Sequence, residues 1–96
     1  MADIKILNQK TTNGRGEEFK LEYPGRGTEG VNIMLWGTMG SATATLQVKT
    51  PDDTWINTSV TFTTVGEKNV LVKAGRTIAL NITGASGTSI SAIATP

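Results

Sequence analysis

The stretch ATATLQVKTPDDTW, residues 42–55, sets the fold class. Ala42, Ala44, Leu46 and Val48 alternate with Thr43, Thr45, Gln47 and Lys49. Successive side chains of an extended backbone point to opposite faces, so this run has one dry face and one wet face. Thr50-Pro51-Asp52-Asp53 follows. Proline presets φ, and aspartate favours turns by contacting its own backbone. The stretch therefore predicts a strand, a hairpin turn and a returning strand.

The same alternation predicts strands at residues 59–63, 69–73, 78–83 and 89–94, all rich in threonine, valine and isoleucine, whose branched side chains suit extended backbone. Gly66-Glu67, Ala74-Gly75-Arg76 and Gly84-Ala85-Ser86-Gly87 separate them. Strands spaced roughly every 8 to 12 residues indicate a sandwich or barrel. Nearer the N-terminus, residues 18–23 predict a strand with Phe19, Leu21 and Tyr23 inward. Residues 31–36 are apolar on both faces after Asn32, as befits a central strand or one whose second face meets another chain. Residues 9–16 and 24–30, polar and glycine-rich, read as loops. Ile4-Lys5-Ile6-Leu7 suits either a short strand of the domain or an arm adding to an edge of another subunit. The expectation is an all-β, single-domain antiparallel β-sandwich of about seven or eight strands, jelly-roll or immunoglobulin-like. Residues 1–16 would form an N-terminal segment or arm with a flexible loop, and residues 17–96 the sandwich domain.

Composition removes several classes of function. The 96 residues support one modest core. With 18% charged residues, a formal net charge of +1 and no basic run, neither a nucleic-acid footprint nor a polybasic membrane patch is visible. The absence of cysteine and histidine eliminates disulfides, thiolate nucleophiles, imidazole bases and the usual zinc ligands. No apolar run nears the ~20 residues of a membrane span, and the first residues do not read as a secretory signal, so synthesis in a cytoplasm is expected. The sequons Asn57-Thr58-Ser59 and Asn81-Ile82-Thr83 are what a Thr- and Asn-rich composition produces by chance.

Asp52-Asp53 lacks the further oxygen ligands of a calcium loop and the facing geometry of a glycosidase pair, which leaves it as a hairpin tip. Trp36 and Trp55 fit packing in the core or between subunits. They also fit a sugar-stacking platform, because an aromatic face suits a pyranose. Gly84-Ala85-Ser86-Gly87-Thr88-Ser89 precedes no predicted helix and so lacks the dipole of a phosphate cradle. The many hydroxyls have no base to activate them. No catalysis, cofactor or metal is expected.

The order Ala44-Thr45-Leu46-Gln47-Val48, Thr50-Pro51-Asp52-Asp53-Thr54-Trp55, Val60-Thr61-Phe62-Thr63, Asn69-Val70-Leu71-Val72-Lys73-Ala74-Gly75-Arg76 and Leu80-Asn81-Ile82-Thr83-Gly84 resembles the small β-sandwich virion structural proteins of tailed bacteriophages. In those a "Leu-x-x-Ser-Pro-Asp-Gly" hairpin leads to a Thr-Trp strand, with a "Phe-Thr" strand and a "Pro/Lys-Ala-Gly" turn beyond. Asp53 stands where that pattern often has glycine. The resemblance spans about the C-terminal half of the chain. It implies a capsid decoration (cement) protein, or a head-fibre or tail component, acting in the virion as a homo-oligomer, commonly a trimer, with the major capsid protein as partner. Contact candidates are Met34, Trp36 and Trp55, with Ile4, Ile6 and Leu7 as an arm. The alternative is a carbohydrate-binding or adhesin-like module using Trp36 and Trp55.

Overall fold

The alternating segments pair into two antiparallel sheets in a computed structural model that describes residues 4–20, 28–73 and 76–95. The expected inward positions Leu21 and Tyr23 lie outside the described residues. The strands are β1 (Ile4–Lys10), β2 (Gly14–Arg15), β3 (Phe19–Lys20), β4 (Thr28–Thr38), β5 (Thr43–Lys49), β6 (Trp55–Phe62), β7 (Gly66–Lys73), β8 (Thr77–Thr83) and β9 (Ser89–Thr95). Sheet A has the order β1-β9-β4-β7. Sheet B has the order β2-β8-β5-β6, with β3 also pairing β8.

Strand order settles the topology that alternation left open. β2 pairs Asn81 and Ile82 of β8 and β3 pairs Ile78 and Thr77, so the two lie end to end along one edge as a single interrupted strand. Counted that way the described residues form eight strands, four to a sheet, and among them only the β5–β6 hairpin joins neighbours within a sheet. Every other connection crosses between sheets. This is a jelly roll; an immunoglobulin-like sandwich would keep several consecutive strands side by side.

Inward residues of both sheets form one core, including Val31, Ile33 and Leu35 of β4, Leu46 of β5, Phe62 of β6, Ile78, Leu80 and Ile82 of β8, and Ile90, Ala92 and Ala94 of β9. The hairpin at residues 50–54 forms as expected. The Asp53 N–H donates to the Thr50 carbonyl (3.0 Å), the Thr50 N–H donates to the Thr54 carbonyl (2.7 Å), and Asp53 is left-handed at φ 63°. This is a three-residue loop in which a β-turn precedes a left-handed position, where glycine is the easiest occupant. Asp53 is therefore the strained residue of the turn.

The N-terminal segment belongs to the sandwich, and the expected division after residue 16 does not separate it. β1 is an edge strand of sheet A through its pairing with β9, and β2 belongs to sheet B. Register shifts break β1 between Lys5 and Leu7 and again between Leu7 and Lys10. The first is a bulge that lets consecutive residues Ile6 and Leu7 both face inward, at 1% and 2% exposure. The second contains Gln9 at φ 49°, whose N–H donates to the Ser91 hydroxyl (3.0 Å). The Ile6 carbonyl accepts the Glu17 N–H (2.9 Å), and the Gly16 N–H donates to the Leu80 carbonyl (2.8 Å), so residues 16 and 17 bond one to each sheet. A Cβ on Gly16 would overlap the Ile6 carbonyl. The predicted loop at residues 9–16 is thus largely a stitch between sheets.

Candidate functional site

Outside the core, side chains able to act on another molecule sit on the outer faces of the two sheets, and those faces differ. On sheet A the inward positions 31, 33 and 35 of β4 leave Asn32, Met34 and Trp36 facing outward. Met34 is 37% exposed and Trp36 42%. Met34 lies opposite Ile93 of β9 on one side and Glu67 of β7 on the other, while Trp36 lies opposite Ser91. Ile93 in turn pairs Lys5 of β1. One row across the sheet therefore reads Lys5, Ile93, Met34, Glu67, with Trp36 and Ser91 in the next row of the same face. On the other side of the Met34 row, the Asn32 side-chain amide donates to the Asn69 Oδ1 (2.9 Å). Leu71, opposite Gly30, is 79% exposed.

Trp55 lies on the opposite side of the molecule. It pairs Lys49 at the start of the returning strand, on the outer face of sheet B. The Arg15 guanidinium carbon stands 4.3 Å from its ring centroid, and the Arg15 Nε donates to the Gln47 Oε1 (2.9 Å). The Gln47 Nε2 then donates to the Asn57 Oδ1 (2.8 Å). Gln47 is only 8% exposed, yet both ends of its amide are satisfied. Lys49 Nζ is 5.8 Å from the same ring, and reaches Glu18 at 3.8 Å and Asp53 at 3.9 Å. A shift in the β5–β6 register between Thr45 and Gln47 brings Asn57 opposite Gln47, and the Thr58 hydroxyl donates to the Leu46 carbonyl (2.8 Å) at that irregularity.

The contact candidates are therefore dispersed. Met34 and Trp36 share one outward face, Trp55 is on the other, and the two indoles do not form a common platform. Ile6 and Leu7 are spent in the core and do not project as an arm; the bulge in β1 turns both inward. Ile4 pairs Ala94 through the backbone of the same edge strand. Asp52 and Asp53 are exposed at the hairpin tip, and among the described residues no group of three or more acidic side chains converges to hold a metal ion.

Ile93 and Leu71 escaped the sequence reading, although each carries a signal. Each is an apolar residue out of phase with its own strand, because Ala92 and Ala94 around Ile93, and Val70 and Val72 around Leu71, are the buried ones. Arg15 carried no such signal, since its partners lie 32 and 40 positions away. Comparison with protein families, curated proteins and solved structures gives no match to this chain.

Proposed function

We propose that this protein is a non-catalytic structural component of a bacteriophage virion, a capsid decoration (cement) protein that binds neighbouring subunits of the major capsid protein and stabilises them by adhesion. The observation that carries the reading is the outer face of sheet A, where Met34, Trp36 and Ile93 share adjoining positions on a sheet backed by a filled core. A rigid face with apolar side chains at its centre suits a permanent contact. The chain acts as a homo-oligomer, for which the resemblance implies three copies, and symmetry multiplies a modest contact per subunit into avidity. Jelly rolls serve viral capsid domains and lectins alike, so fold does not choose between the two. Trp36 and Trp55 on opposite faces weigh against a sugar platform built from both.

The test is sedimentation of the purified protein with capsids of the phage that encodes it. Co-sedimentation that saturates at a fixed stoichiometry, and a rise in capsid melting temperature, are expected. Absence of binding combined with a glycan-dependent change in tryptophan fluorescence would instead support the carbohydrate module.

A further inference from the structure

We propose that the outer face of sheet A pairs with the same face of a second copy of this chain, about a two-fold axis running parallel to the strands between β9 and β4. The proposal goes beyond the virion reading and assigns this face to the contact between copies, which leaves capsid binding to another surface of the pair. The register carries it. The row Lys5, Ile93, Met34, Glu67 places one cation and one anion at the two edges of the sheet with apolar residues between them. Three strand spacings of about 4.8 Å separate the backbones of Lys5 and Glu67, so the two are not facing neighbours within one chain. Among the described residues neither forms an ion pair.

A two-fold axis along the strands exchanges β9 with β4 and β1 with β7. Lys5 of each copy then faces Glu67 of the other, and Ile93 faces Met34. In the next row Trp36 of each copy lies over the Ser91 position of the other, where Ser91 is itself buried and its hydroxyl accepts the Gln9 N–H. An axis across the strands would instead set Lys5 against Lys5 and Glu67 against Glu67. Charge thus selects one of the two ways in which the face can meet itself, and the selected one gives aligned packing of the two sheets.

The area is adequate if the whole face is used. Four strands ~4.8 Å apart, the longest with 11 residues at ~3.3 Å each, present roughly 500–700 Å² in projection. Side-chain relief brings this towards the ~800 Å² per partner of a standard interface. Because each chain has one such face, the pairing closes at two copies. A three-fold assembly through another surface would then hold six.

The experiment is mass by light scattering and sedimentation across a concentration series. The wild-type chain should show an even copy number, twice 10.1 kDa or a multiple of that. Trp36→Ala should raise the dissociation constant roughly 100-fold, as loss of a central aromatic does, with an unchanged circular dichroism spectrum. Lys5→Glu and Glu67→Lys should each weaken pairing roughly tenfold, and the double exchange should restore it, which a merely misfolded variant would not do. A wild-type monomer at high micromolar concentration, an oligomer indifferent to Trp36→Ala, or a double exchange weaker than either single variant would overturn the proposal.

Discussion

The two tryptophans of this chain occupy equivalent-looking places, each near one end of a strand and each outward, yet their surroundings are opposite. Trp55 is held by its own chain: Arg15 stacks on it, Lys49 stands near it, and the Arg15–Gln47–Asn57 hydrogen bonds fix the cation in place. Trp36 lies open at 42% exposure, next to Met34 and Ile93, and the Asn32–Asn69 hydrogen bond lies one row beyond Met34. An aromatic ring clasped by a cation and neighbouring polar groups contributes to its own fold. An open ring among apolar neighbours is available to another surface. One face of the sandwich is spent internally and the other is unspent.

The largest effect is expected where the inward neighbours of the open face are cut. Leu35→Ala removes a core side chain adjacent to both Met34 and Trp36 in sequence, and should cost about 2–5 kcal/mol in urea unfolding. Met34→Ala, one position away and outward, should cost less than about 1 kcal/mol for the monomer. Equal losses would mean that the outward face is not outward.

On the spent face, Arg15→Ala should cost about 1–3 kcal/mol. It removes the stacking on Trp55 and leaves the nearly buried Gln47 Oε1 without its donor. In a Trp36→Phe background, where Trp55 is the sole indole, the same change should alter the emission of the folded protein. Unaltered emission would show that Arg15 does not cover the ring. Arg15→Lys should rescue only part of the loss, because an ammonium cannot both lie flat on the ring and donate to Gln47 in the same geometry.

The smallest effect belongs to the hairpin tip. Asp53→Gly relieves a left-handed backbone position at φ 63° and sacrifices an ion pair to Lys49 that is 3.9 Å long and well exposed. Such a pair is worth little, and the gain is partly offset by the greater freedom of glycine in the unfolded chain. A stabilisation of roughly 0.3–1 kcal/mol is expected by thermal or urea unfolding. A marked destabilisation would mean that the Asp53 carboxylate does more for the clasp around Trp55 and Lys49 than its exposure suggests.

Residues 42–55 were legible because everything needed to read them is local. Alternation depends on neighbouring side chains, and the turn depends on proline and aspartate within four positions. The strands at 69–73, 78–83 and 89–94 were legible for the same reason, and the structure lengthens them by one to three residues. Alternation predicts β6 from residue 59, whereas the strand begins at Trp55. Its stretch Trp55-Ile56-Asn57-Thr58 does not alternate, and is held extended by pairing with β5 across an irregular register. β1 was half legible: its bulges set Ile6 and Leu7 on one side, contrary to strict alternation, and depend on β9 more than eighty positions away. β2 falls in a stretch whose composition predicts a loop, because two residues become a strand only when β8 offers an edge. Of the candidate contacts, the pairing of Met34 with Trp36 follows from their spacing of two, whereas the internal capture of Trp55 and the burial of Ile6 and Leu7 do not follow from anything nearby.

By itself, the sequence determined the extended backbone, the hairpin at Thr50-Pro51-Asp52-Asp53 and the all-β class, since propensity and alternation act over a few residues. Only the tertiary structure decided the jelly-roll order, the stitching of the N-terminal segment into both sheets and the different fates of Trp36 and Trp55. Those depend on which strands become neighbours, and that is set by burying one shared core from residues far apart along the chain.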